Sequence, residues 1–395
     1  MTTPIILSPS GDESPAMRRI ELFVLVLWCA AVIAATVQQG VVHQNNNYLI
    51  FRAASLHLLH GQDLYAAWPA LHLDFYKYSP TFALLFLPFA LLPFTLSMLA
   101  WNAVNAGALY FALGAVLARR GALVARAIVF LDMLGSLQNV QSNALVAALI
   151  IVAFAGYERR HSFSASLAIG AGASIKVFPL AAASFAIFHP RRVRVAAALL
   201  CSVALLLLLP LLVTSPDVLL AQYRSWRAIE SADALARGFS VMQMVQLLFH
   251  AGLPNWPMQL LGTGALVAPV LARRDRWSQW GFRRLYLCSV LVFCVIFNHQ
   301  AESPTFVIGV AGAAIWFASL SAPDRGVWAL FGFIVICTIL ASSDLMPRAI
   351  QRSLFDAYRF KTVPLIVLWA VLQQQLWKSR AASERPILRS AAPGS

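Results

Sequence analysis

An all-α polytopic membrane protein is the fold class this sequence predicts, and three observations predict it. Of 395 residues, 60% are hydrophobic and 12% charged, with a mean hydropathy of +0.71, far from the composition of a soluble globular chain. The apolar residues gather into runs that approach the roughly 20 residues a helix needs to cross a bilayer. The 30 lysines and arginines, against 16 acidic residues, sit in short clusters between these runs. A basic excess can signal nucleic acid, but a nucleic-acid surface draws its charge onto one face. Here the clusters mark the ends of spans, so no nucleic-acid partner is expected.

The chain opens with a polar tail, 1–19, expected to be disordered and cytoplasmic. Arg18 and Arg19 precede the first apolar run, 20–37, which lacks a convincing small-residue cleavage site and reads as an uncleaved helix. A polar and aromatic stretch follows and makes 38–93 a large first outer loop. Within it Tyr48, Phe51, Ser55, Leu58 and Leu59 recur at helical spacing, and Gly61 with Asp63 ends the helix. That pattern predicts an amphipathic helix along the membrane surface. Residues 80–93 are apolar but contain Pro80, Pro88 and Pro93, so they read as an interfacial or half-inserted helix. A full crossing there would throw Arg119 and Arg120 outside.

Further spans are expected at 94–117, 122–136, 144–155, 163–176, 177–188, 195–213, 256–271, 285–297, 304–320, 327–341 and 363–377. About ten to twelve crossings result. They form one transmembrane domain, 20–378, with a cytoplasmic tail over 379–395. The five cysteines (Cys29, Cys201, Cys288, Cys294 and Cys337) all lie inside apolar runs without ligand spacing, and read as small buried hydrophobes.

Orientation follows from the basic clusters. With the N-terminus in the cytoplasm, Arg18/Arg19, Arg119/Arg120, Arg159/Arg160, Arg191/Arg192/Arg194, the arginines from Arg273 to Arg284, Arg325 and Lys378 all fall inside. The unusual polar segments then fall outside: 43–79, 138–143, Lys176, 214–240, 298–303 and 342–362. Solvated loops would account for some of them. Their convergence on one face predicts a site there. Lys176 is the sharpest case, because a charge amid ASLAIGAGASIKVFPLAAASF is costly unless it has a partner or a function. Gly170, Gly172 and Pro179 around it suit a broken hairpin.

Several stretches together resemble a known family. HLLHGQDLY, then FYKYSPTFALLFLPFALLP and LAWNAVNA, is similar to the first-loop signature of glycosyltransferase family 87; QNVQSN, IKVFP, GFSVM and NHQAESP are similar to its later segments. The likeness runs from about residue 48 to 304, and its strength lies in the combination. It implies a GT-C-like bundle that uses polyprenyl-phosphate sugars, as polyprenol-phosphate-mannose-dependent mannosyltransferases do. Implied partners are a lipid-linked sugar donor, a lipid or glycan acceptor and membrane lipids; the implied place is the plasma (inner) membrane, with the site on its extracytoplasmic side. No cofactor and no metal are expected. One departure matters: where the family usually carries an early catalytic aspartate, this chain has Asn47, which cannot take a proton as a carboxylate would.

Such a transfer needs a base on the acceptor hydroxyl and positive charge at the leaving phosphate. Asp74, in the first loop beside Phe75, Tyr76 and Tyr78, is the leading carboxylate; Glu302 is second, and Asn47 is left to position the acceptor. Asp63 reads as a turn residue. Lys176, Lys77, Arg237 and Arg52 are the candidates for phosphate. Tyr78, His57, His299, Gln141 and Asn143 are expected to bind substrate. His43, His57, His60 and His72 crowd the first loop, and hydrogen bonding to sugar or phosphate explains them better than a metal. A transporter or flippase and a non-catalytic binder of lipid-linked sugar are the competing readings; against a transporter, no repeat relates the halves.

Overall fold

The computed structural model describes residues 14–42, 45–250, 252–343 and 346–378; most of both tails and His43 lie outside them. Among the described residues every regular element is helical. In order these are α1 (Pro15–Val42), α2 (Asn46–Leu59), α3 (Pro80–Ala90), α4 (Phe94–Val116), α5 (Arg119–Gln138), α6 (Asn143–Glu158) and α7 (Ser162–Ile175). A 3-10 run over Phe178–Phe188 precedes α8 (Arg192–Leu208), α9 (Pro216–Ala232), α10 (Val241–Phe249), α11 (Asn255–Ala272), α12 (Trp280–Ile296) and α13 (Phe306–Ala318). The chain ends with α14 (Arg325–Ile334), the short α15 (Arg348–Ile350), which widens into a π-helical turn over Gln351–Asp356, and α16 (Val363–Lys378).

A helical element stands at every expected span. Four segments, Pro15–Gly40, Phe94–Val116, Arg119–Gln138 and Arg192–Leu212, are long and apolar enough to cross a membrane, and shorter apolar helices pack among them. The short ones are tolerable because protein covers them: α13 is buried along its whole length from Phe306 to Trp316, between α12 and α5. Helix α1 begins before and ends after the expected 20–37: Pro15 is a favourable first residue, and the helix continues through Gln38, Gln39 and Gly40 to Val42.

Two ends differ in chemistry. At one end Arg119 pairs with Glu21 (Nε to Oε1, 2.6 Å), Arg283 with Glu158 (2.7 Å), and Arg192 lies over Trp277 at 4.6 Å. At the other, Ser79 Oγ donates to the Ser174 carbonyl (2.7 Å) and Asn47 Nδ2 to the Asn139 carbonyl (2.8 Å). The arginine clusters thus share one end, and the polar segments the other.

Helix α2 forms where the spacing predicts it, and Gly61 adopts the left-handed conformation (φ 65°) that ends it. Its apolar face does not simply rest on a membrane surface. Tyr48, Phe51, Ser55 and Leu58 are buried against protein, chiefly α3, with Ser55 Oγ donating to the Ala83 carbonyl at 2.8 Å. Tyr48, Phe51, Phe82, Phe86 and Trp101 interlock edge to face, which explains the aromatic content of this loop. The irregular segment after Gly61 is tied down by Tyr65 Oη on the Tyr78 carbonyl (2.7 Å) and by Gln222 of α9, which bonds Leu64 N and the Gln62 carbonyl.

The broken hairpin at Lys176 is present: α7 stops at Ile175, and a Cβ on Gly172 would touch Pro179 at 3.1 Å, so the two arms meet closely. The cysteines depart from expectation. Cys288 and Cys294 are buried, but Cys29 and Cys201 are exposed on the apolar outside of the bundle. An apolar run does not say which helix face meets protein.

Candidate active site

A cavity of about 790 Å³ opens at the polar end. Segments distant in sequence build its walls: the start of α2, the loop at 74–78, the α5–α6 turn, the Lys176 break with the 3-10 run after it, α9, the 236–238 turn, one face of α11, the end of α12 and the 298–302 loop that follows it. A gap in helix packing at the break and the turns leaves backbone and polar side chains facing a shared space, where irregular structure can be accommodated.

One hydrogen-bonded chain crosses this wall. Lys176, carried past the end of α7 on extended backbone, donates through Nζ to Asn143 Oδ1 at 2.7 Å. Asn143 Nδ2 donates to Gln141 Oε1, and Gln141 Nε2 donates to Glu302 Oε2 at 2.7 Å. Glu302 also caps the turn that starts α13, its side chain accepting from the Thr305 N–H while its own N–H reaches Thr305 Oγ1 at 3.2 Å. A carboxylate has about four lone-pair sites, so two such bonds orient it and leave it able to accept another proton donor. Lys176 makes no ion pair with a described carboxylate, so its charge stays available to an anion.

The opposite wall is acidic and aromatic. Lys77 Nζ pairs with Asp233 at 2.9 Å and, more distantly, with Asp74 at 3.9 Å. Burial works against its ammonium, but Asp233, Asp74 and Glu302 more than compensate and hold it above the ordinary lysine value. Asp74 itself is at the rim, with its side chain 58% exposed and one oxygen accepting from the Phe75 N–H at 2.7 Å. Glu230 lies deeper; burial first, then the neighbouring Asp233, pushes its carboxyl above the usual glutamate range. Trp226 Nε1 donates to the Lys77 carbonyl at 3.3 Å, fixing the indole beside them.

At the cavity's far side His299 Nδ1 lies 3.1 Å from Gln259 Nε2, and burial pushes the imidazole below its usual value. With the amide donating to Nδ1, the neutral ring carries its proton on Nε2. Asn47 lines the cavity too, held by the Asn139 carbonyl. Tyr78 does likewise, and burial raises its phenol above the usual range, so it stays neutral.

Asn47, Asp74, Lys77, Tyr78, Gln141, Lys176, His299 and Glu302 therefore share one cavity, with Asn143 directly behind. His57, Arg237 and Arg52 do not line it, nor do His60, whose Nδ1 lies 2.8 Å from the Leu56 carbonyl, and His72, whose Nδ1 lies 2.6 Å from the Asp74 carbonyl. His57 is buried in α2 against Trp68, ring centroids 4.1 Å apart; Arg237 donates to the Leu253 carbonyl at 3.1 Å; Arg52 is half-buried on α2. His57 and Arg52 are lost for the same reason: the side of α2 that turns toward the cavity is that of Asn47 and Ile50. Trp226, Glu230 and Asp233 were missed. Their i, i+4, i+7 spacing in WRAIESAD was the available signal of a helix face, hidden by reading 214–240 only as an outer polar segment.

The model of glycosyltransferase family 87 matches residues 75–298, more than half of the chain. The chain belongs to glycosyltransferase family 87. No curated protein matches it. Membership of family 87 implies a glycosyltransferase, with a sugar donor and an acceptor as substrates. The matched stretch holds Lys77, Tyr78, Gln141, Asn143, Lys176, Glu230 and Asp233; Asn47, Asp74, His299 and Glu302 lie outside it.

Proposed function

We propose that this chain moves a hexose, mannose foremost, from a polyprenyl-phosphate carrier to a hydroxyl of a lipid or glycan acceptor, on the extracytoplasmic face of the plasma (inner) membrane. The observation that carries the reading is the chain Lys176–Asn143–Gln141–Glu302, which sets an ammonium with no ion pair among the described residues and an oriented carboxylate in the wall of one cavity. Lys176 is suited to the donor phosphate and Glu302 to the acceptor hydroxyl. The proton of that hydroxyl passes to Glu302 as its oxygen attacks the anomeric carbon. The bond from that carbon to the phosphate oxygen breaks, its electron pair stays on phosphate, and Lys176 offsets the charge. Asn47, without a carboxylate, orients the acceptor.

A second feature supports a lipid carrier. Below the polar groups the cavity continues between Leu180, Ala181 and Ser184 of the 3-10 run and Thr263, Leu266 and Val267 of α11, with Phe293 of α12 also lining it. From Gln259 to Val267 this wall spans about 12 Å of helix. Leu180 and Thr263 are themselves exposed, so the slot has an open side through which an isoprenoid chain can leave. The arginine-rich end lies opposite, which supports an outward-facing cavity.

The test is transfer of label from radiolabelled polyprenyl-phosphate mannose into a membrane-lipid extract. Glu302→Gln should lower kcat by about 10²–10⁴-fold, the usual worth of a general base. Lys176→Gln should cost about tenfold or more and Lys176→Arg less, while Asp74→Asn keeps most of the activity. Parental turnover in Glu302→Gln with a dead Asp74→Asn would move the base to the rim. Uptake into vesicles without any labelled product would favour transport.

A further inference from the structure

Behind the cavity, among apolar helices, lie two charges the chemistry above does not use. Lys361 is 2% exposed and Asp132, on α5, 7% exposed, with Nζ and Oδ1 3.5 Å apart. Stability alone does not explain such a pair, because well-packed apolar residues of similar size commonly do as well or better. What an apolar side chain cannot do is direct a backbone group.

The Lys361 ammonium does that. Besides Asp132 it reaches the Ser303 carbonyl at 3.2 Å and Ser303 Oγ at 3.1 Å, and it lies 4.6 Å above the Phe306 ring. Ser303 follows Glu302 directly, inside the turn that Glu302 and Thr305 close on each other. A neighbouring contact braces the same loop: Arg359 lies over Phe239 at 4.5 Å, and Phe239 N donates to the Ala301 carbonyl at 2.8 Å. Asp132 ties the arrangement to α5, whose far end presents the Asn139 carbonyl to Asn47. The two sides of the cavity are thus indexed to one helix.

We propose that Lys361, held by Asp132, is the positioning residue for Glu302: it fixes the Ser303 turn from behind and so sets the direction of the carboxylate at the cavity wall. The inference rests on Glu302 being the base. Both partners lie outside or behind the groups that touch substrate, and Lys361 falls beyond the stretch matched by the family.

The experiment uses the full-length protein with radiolabelled polyprenyl-phosphate mannose and the lipid extract. The double variant Asp132→Leu/Lys361→Met removes both members of the ion pair together, and thermal unfolding establishes that it folds. Its donor KM should stay within about twofold, with kcat about tenfold lower or less. Ser303→Ala, which leaves the ion pair whole, should show the same signature at about two- to fivefold. A folded double variant with parental kcat overturns the inference, as does one whose loss lies in donor KM instead of kcat. If the double variant does not fold, parental behaviour of Ser303→Ala overturns it instead. Parental turnover in Glu302→Gln, or no labelled product from the parent, overturns the underlying reading and the inference with it. A dead Glu302→Gln beside an unaltered double variant overturns the inference alone.

Discussion

Gly238→Ala is the perturbation whose size the structure best defines. Gly238 has φ 44°, in the left-handed region, where a side chain costs roughly 1–2 kcal/mol. A Cβ there would stand 2.4 Å from the Ala301 carbonyl oxygen and 3.0 Å from both Ala301 N and the His299 carbonyl oxygen. Real contacts do not fall below 3.0 Å, so the 299–301 backbone must retreat by at least 3.0 − 2.4 = 0.6 Å. That backbone carries His299 and leads into Glu302. Since misplacement by about 1 Å can cost 10²-fold, a shift of this size should lower kcat by about tenfold. Gly61→Ala provides the control: its φ is 65°, but nothing lies within 4 Å of the new Cβ. Both variants should lose a few degrees of thermal stability from the shared backbone strain, and only Gly238→Ala should lose turnover when label transfer is measured per folded protein. Equal activities for the two variants would refute the claim that the 299–302 loop must hold its place.

Glu230→Gln should stabilise the protein in a pH-dependent way. The folded carboxyl titrates above its ordinary 4.5, so ionisation costs more in the folded state; that cost is absent below about pH 4.5 and grows as pH rises through the folded value. Thermal unfolding should show the variant ahead of the parent at pH 8 and level with it at pH 4; an equal gain at both would point to packing. Sidedness is tested by single cysteines in a cysteine-free background: Leu73→Cys, at a position 91% exposed on the polar end, should react with an impermeant thiol reagent in intact cells, and Arg120→Cys at the opposite end should not. The reverse pattern would turn the cavity toward the cytoplasm.

The sequence by itself determined the helical membrane class, the place of each apolar helix, and the segregation of polar segments from arginine clusters. These are local properties: hydropathy over a window, helix-ending residues such as Gly61, and charges beside span ends, each readable without knowing what packs where. Lys176 was legible for the same reason, as a charge in an apolar run. Tertiary structure decided which polar groups meet. Gln141 and Glu302 are 161 residues apart and Lys361 and Asp132 more than 200, so only the packing of α5, α12, α13 and α16 brings them together. It also decided the rotation of each helix, which sends Asn47 into the cavity and His57 into the core of the same α2, and shows the Trp226 and Glu230 face of α9, with Asp233 at its end, to the site. Helix rotation is set by contacts with neighbours distant in sequence, and nothing in a single run of residues encodes it.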